Sequence, residues 1–217
     1  MAFQKLQFKR LLEKEMLSRS KSFYYNIKSR RSVRDFSDKP FSVDLIINAI
    51  KVASRAPSGA NKQPWHFVII HDSLVKKQIR NAAEREEKKF YDYRASKEWL
   101  KDLEQFETDW RKPFLEKAPY LIVVFKKQYD FNNKKRKKNY YVNESVGIAV
   151  GFLLTALHNS GLATLTHTPA PMGFLETILK RPKNEKAFLL IPVGYPANNA
   201  QVPTITKKSF KKVCDII

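Results

Sequence analysis

Only one cysteine, Cys214, occurs in the 217 residues, so the chain can form no internal disulfide and has no cysteine cluster to hold a metal ion. That usage predicts a reducing, cytoplasmic compartment. Acidic residues are also scarce, 21 against 41 lysines and arginines, and the formal charge of +20 predicts a surface that draws anions. The longest apolar run, "VGIAVGFLLTAL" at 146–157, falls short of the ~20 residues that a spanning helix needs, which excludes a transmembrane reading. No secretory leader is visible: "MAFQKLQFKRLLEKEM" carries Glu13 and Glu15 and lacks a cleavage site, and it reads as an amphipathic helix. Internal repeats are missing too, and low complexity is confined to 126–139, "KKQYDFNNKKRKKN", which reads as a solvated basic loop.

What remains is the composition of a globular domain, with 43% hydrophobic and 12% aromatic residues. "SVDLIINAIKVASRA" has apolar residues at helical spacing behind Ser42, a candidate N-cap, and predicts a helix to about Arg55. "WHFVII", "PYLIVVF", "LATLTHT" and "AFLLIPVGYP" predict buried strands. "YYVNESVGIAVGFLLTALHNSG" is apolar on most faces and closes at Gly161, as a central helix should; Gly147 and Gly151 in it suit close helix contact, in the core or between subunits. The charged stretch between the first two strands reads as an excursion from the core. The order is α+β, without regular strand and helix alternation.

"RRSVRDF" places Arg30, Arg31 and Arg34 beside Ser32. Guanidinium forks match phosphate oxygens, but charge runs are usually just solvated, so context must decide. That context is "APSGANKQPWHFVII", where Pro57, Ser58, Gly59 and Ala60 form a turn able to expose backbone N–H groups. In the excursion, Glu87 and Tyr91 are four apart and share a helix face, and Lys112 precedes Pro113, which disfavours helix there and can turn the amine inward. Thr166 and Thr168 alternate onto one side of a strand end, with His167 pointing away and read as structural, as are His66, His71 and His158. The tryptophans Trp65, Trp99 and Trp110 read as packing groups.

Taken in order, "RRSVR", "APSGA", "HTP", "RP" with "EK", and "IPVGYP" resemble the FMN-dependent nitroreductase superfamily and, within it, the iodotyrosine deiodinase branch, from about residue 20 to the end. The resemblance implies an α+β sandwich with a central, mostly antiparallel sheet flanked by helices, a helix-exchanging homodimer with FMN at its interface. It divides the chain into an N-terminal helical extension, 1–20, and one FMN-binding domain, 21–217, with a lid at about 84–115. Arg30, Arg31, Ser32 and Arg34 would hold the cofactor with Pro57, Ser58, Gly59, Thr166 and Thr168. They would be joined by Lys207, or by Lys208, where the family usually carries arginine. The Thr168 hydroxyl would bond the flavin N5, a contact linked in that branch to one-electron steps. Ala60 would hold the substrate phenolate, and Glu87, Tyr91 and Lys112 its ammonium and carboxylate.

The implied activity is reductive dehalogenation of halotyrosines, releasing tyrosine and halide. The alternatives are a general NAD(P)H-dependent nitroreductase or quinone reductase acting on nitroaromatics, with NAD(P)H or a reductase as donor, and, from another class, a basic nucleic-acid-binding protein. Animal deiodinases carry a membrane anchor that this sequence does not show, which predicts a soluble relative.

Overall fold

Alternation along two neighbouring strands decides where the core lies. The computed structural model describes residues 3–133 and 135–217 and contains strands β1 (Trp65–Ile70), β2 (Tyr120–Lys127), β3 (Tyr129–Asn132), β4 (Lys135–Lys138), β5 (Ala163–Thr164) and β6 (Glu185–Gly194). Four of them form an antiparallel sheet in the order β1, β2, β6, β5, and β3 pairs with β4 alone. On β2, Ile122 and Val124 face one hydrophobic cluster while Leu121, Val123 and Phe125 face another, and all five are fully buried. Across the pairing, Ile191 and Val193 of β6 join the first cluster and Leu190 the second. A strand buried on both faces reads as one continuous apolar run, which is why "LIVVF" shows no period of two.

Helices cover both faces. α2 (Asp44–Ala53) and α6 (Val142–Asn159) pack on the first, through Ile46, Ala49, Ala53, Val146, Ala149, Val150, Leu153 and Leu157. α3 (Ser73–Lys89), α5 (Phe114–Lys117) and α7 (Gly173–Ile178) pack on the second, through Ile79, Ala83, Phe114, Leu115 and Leu175. The helix predicted behind Ser42 begins two residues later, and the Ser42 hydroxyl accepts from the Asp44 amide at 3.2 Å. α6 ends where expected: Gly161 takes φ 79°, open to a residue without Cβ, while its amide and that of Leu162 bond His158 and Leu157 carbonyls.

Several expectations are revised. The described residues of the 126–139 segment are mostly strand rather than loop: Lys126 and Lys127 end β2 and β3 pairs with β4, Tyr129 and Phe131 stack edge to face, Arg136 lies 4.8 Å over the Tyr129 ring, and the Asn184 side chain donates to the Tyr129 carbonyl. "LATLTHT" supplies only two strand residues plus isolated bridges from Thr164 to Ser32 and from His167 to Leu190. Of the two places expected for close contact at Gly147 and Gly151, the core of this chain is not one: beyond their own helix a Cβ on either would find no atom of the described residues within 4 Å, and Ile148 and Phe152 beside them are exposed.

By internal contacts the chain divides into a unit ending at Arg30 and a unit Arg31–Ile217. The first carries α1 (Glu13–Lys28), none of whose residues is buried. Residues 3–12, expected to be helical, are not. Phe3, Leu6, Phe8 and Leu12 there are exposed, so burial of a face does not offset the cost of nucleating a helix. The helix begins instead at Glu13 and Glu15, whose charges suit the positive end of its dipole. No helix among the described residues is long and apolar enough to cross a membrane.

Candidate active site

The excursion begins inside α3. As far as Ala83 it is anchored by the buried Ile79, Ala82 and Ala83, and only from Glu84 onward does it leave the core. α3 then widens into a π-helical turn, Phe90–Arg94, followed by α4 (Lys97–Glu104), whose N-cap Ser96 accepts from the Trp99 amide. Pro113 starts α5 with φ −59°, which suits proline at a helix start, and the chain before it returns Lys112 to the protein. The Lys112 amide donates to Glu84 Oε1 at 2.7 Å, its Nζ bonds the Asp109 carbonyl, and the side chain is almost wholly buried.

A cavity of about 590 Å³ lies under this excursion. Glu87, Tyr91 and Lys112 line it, and so do Thr166, Thr168 and Arg34. Residues from four separated segments of the sequence thus share one wall. Glu87 Oε2 is 3.1 Å from Lys112 Nζ, and that ammonium also lies 5.4 Å over the Tyr91 ring. Burial pushes the Glu87 carboxyl up, while Lys112 pulls it back down. Burial likewise raises the Tyr91 phenol and lowers the Arg34 guanidinium, which stacks 5.3 Å from the Phe106 ring. Thr166 and Thr168 are exposed on alternate positions and make no side-chain hydrogen bond among the described residues.

His167 sits between them on the buried side, edge to face with Phe114, and its Nε2 is among the buried atoms without a partner. Burial, helped by Lys112 and Arg34, holds the imidazole down to about 3, so it is neutral. It nonetheless contributes to the cavity wall, as do Phe90, Arg94 and Trp99. None of these four was marked by sequence reasoning as part of a site; the available signal was that Phe90 and Arg94 flank Tyr91, but their contacts are tertiary.

The other predicted residues are not brought to this cavity within one chain. Arg30 closes the first unit, its amide bonded to the Ile27 carbonyl. Arg31 donates to the Pro203 carbonyl, and Ser32 forms a parallel bridge to Thr164, beside the segment that leads to Thr166. Pro57, Ser58, Gly59 and Ala60 lie at a 3-10 turn, Gly59–Asn61, in which Ala60 and Asn61 take positive φ of 50° and 51°. The Ser58 hydroxyl accepts from the Gln63 amide at 2.9 Å. Gly59 presses on the start of α6: an added Cβ would stand 2.8 Å from Tyr141 Cδ2 and 3.0 Å from the Tyr140 carbonyl oxygen. Lys207 and Lys208 lie on the exposed C-terminal segment. Among the described residues no group of three or more His, Cys, Asp or Glu could hold a metal ion.

Comparison with known proteins supplies the family. The model of the nitroreductase family matches residues 27–195. The chain is 57% identical over 195 residues to an iodotyrosine deiodinase of Haliscomenobacter hydrossis, covering 89% of this chain and 88% of that protein. The chain belongs to the nitroreductase family, in its iodotyrosine deiodinase branch. Within that branch it is also 44% identical over 203 residues to the human iodotyrosine deiodinase 1, covering 93% of this chain and 70% of the relative. A crystal structure of oxidized iodotyrosine deiodinase bound to FMN and 3-iodo-L-tyrosine superposes with a TM-score of 0.76 at 35% identity, covering 89% of this chain and all of that one. A Bacteroides thetaiotaomicron protein described as an NADH dehydrogenase/NAD(P)H nitroreductase, at 21% identity and TM-score 0.64, shares the fold. The nitroreductase-like fold accounts for the sandwich of helices on both sides of an antiparallel sheet.

Proposed function

We propose that the protein is an FMN-dependent reductive dehalogenase of halogenated tyrosines, releasing tyrosine and halide. One observation carries the reading: the three side chains suited to a zwitterion, Glu87, Tyr91 and Lys112, line the same cavity as Thr166 and Thr168, which are suited to a flavin edge. The relatives and the superposed deiodinase described above support it.

The residues present fit FMN. Two exposed threonine hydroxyls without side-chain hydrogen bonds, the Arg34 guanidinium and the nearby Ser32 and Arg31 supply donors and cations of the kind a flavin and its phosphate require. FMN when bound supplies the reducing electrons. The chain's own part is to bind and orient. Glu87 takes the substrate ammonium and Lys112 its carboxylate, exchanging their mutual pairing for two pairings with the ligand; Tyr91 closes one side. With both ends of the amino acid fixed, the phenol lies toward Thr166 and Thr168. Ala60, whose left-handed backbone turns its amide but which lies outside this cavity in its own chain, would hold the phenolate from a second copy. The excursion above the cavity excludes water.

On this reading the site is completed in a homodimer, a view supported by Pro57–Ala60 not lining the cavity of their own chain. The exposed Gly147, Ile148, Gly151 and Phe152 on α6 suit close contact with a second copy. Lys207 or Lys208 adds charge at the phosphate, and NAD(P)H or a reductase provides electrons. The lone Cys214 suits a reducing cytoplasm.

The test is quenching of flavin fluorescence in the loaded protein by 3-iodotyrosine and by a nitrophenol. Glu87→Gln weakens iodotyrosine binding at least tenfold, about 1.4 kcal/mol, and nitrophenol binding far less. Equal effects on both ligands, or no response to iodotyrosine, would leave the broader nitroreductase or quinone reductase reading.

A further inference from the structure

One arginine at the cavity rim ties together two segments whose spacing the proposed chemistry depends on. Arg94 ends the π-helical turn. Its Nη1 donates to the Ala170 carbonyl at 3.1 Å, and its Nη2 donates to the Glu86 carbonyl at 2.6 Å and to Glu86 Oε2 at 2.7 Å. Glu86 is the residue before Glu87. Ala170 is two residues after Thr168 and is turned back on it, its amide donating to the Thr168 carbonyl at 2.8 Å. A continuous hydrogen-bonded path therefore runs from the neighbour of Glu87, through one guanidinium, to the backbone of Thr168.

We infer that Arg94 is a positioning residue that fixes the separation between Glu87 and Thr168, and with it the register of a bound halotyrosine ring along the flavin edge. The inference rests on the dehalogenase reading for its consequence and on the geometry alone for the strap itself. The planar fork is what the role requires. A guanidinium reaches two segments at once with directed donors on separate nitrogens, whereas a lysine carries its donors on one nitrogen and does not reproduce that fork. Glu86 is also held by Lys89, at 3.0 Å, so the helix side of the strap survives removal of Arg94 while the Ala170 side does not. No other side chain is hydrogen-bonded to the Ala170 carbonyl among the described residues.

The experiment compares wild type, Arg94→Lys and Arg94→Met as FMN-loaded protein. The readout that needs no substrate is amide hydrogen exchange. Arg94→Met raises exchange at Ala170 about tenfold or more and leaves 86–94 little changed, since Lys89 still holds Glu86, and Arg94→Lys raises Ala170 exchange nearly as much. Turnover of 3-iodotyrosine then shows kcat down at least tenfold in Arg94→Met, with KM within about threefold, because Glu87 and Lys112 still hold the zwitterion while the ring is misplaced. Unchanged exchange at Ala170 overturns the strap, since a merely local helix-end role moves only 86–94. A raised KM with unchanged kcat overturns the positioning role. If wild type fails to bind iodotyrosine at all, the dehalogenase reading falls, and the exchange data still decide whether the strap exists.

Discussion

Replacing His167 by leucine should flatten the acid side of the stability curve. In the folded chain the imidazole is held neutral down to about 3, buried against Phe114 with Lys112 and Arg34 contributing positive charge, against an ordinary value of 6.5. The sign follows from proton uptake. Between those two values the unfolded chain binds a proton on His167 and the folded chain does not, so stability is present above 6.5 and is lost as the pH falls toward 3. The loss approaches ~1.4 kcal/mol per pH unit, and integrating one site from pH 6.5 to pH 4 gives about 3 kcal/mol. A leucine carries no proton in either state and also removes the unpartnered Nε2, whose burial costs about 1–3 kcal/mol. The assay is urea unfolding followed by circular dichroism at pH 7, 6, 5 and 4 on both proteins under equal FMN. The difference between the two curves isolates this one group from the many carboxylates titrating beside it. Expected is a variant at least as stable as wild type at pH 7 whose advantage grows by about 3 kcal/mol at pH 4. Parallel curves would mean that the imidazole is charged or solvated in the folded state, and the account of its burial would fail.

Two further outcomes follow from packing. Gly59→Ala drives a methyl against the Tyr140 carbonyl and the Tyr141 ring, so thermal unfolding should show a loss of about 1–3 kcal/mol, with the conformation at Gly59 itself not at fault since its φ is not positive. Lys76 is buried with its ammonium donating to the Glu116 and Ala118 carbonyls, both at 2.8 Å, and Lys76→Met leaves the end of α5 without a donor; denaturant unfolding should register about 2 kcal/mol or more.

The sheet was legible because burial on both faces of β2, and of the middle of β6, leaves unbroken apolar stretches that no loop would carry. Glu87 and Tyr91 were legible for a different reason, the geometry of one helix face, which survives the π-helical widening after Lys89 because both still reach the same cavity. The pairing of β3 with β4 was not, since the second strand, "KRKK", is exposed and its support comes from Tyr129, Phe131 and the distant Asn184. Arg94 was equally hidden. Nothing about an arginine in a charged helix announces that its partner is a carbonyl 76 positions away. The helix expected over residues 3–12 failed for the opposite reason: an amphipathic pattern is informative only where something covers the apolar side.

Glu87 and Lys112 face each other in the cavity as a closed ion pair. A pocket that carries its own counter-ions discriminates by electrical form as well as by shape. A guest with a single charge, such as an amine without a carboxylate, would satisfy one partner and strand the other in a medium too poor in water to solvate it. Uncharged guests must slip past a closed pair, and only a dipolar ion can open it without leaving a debt.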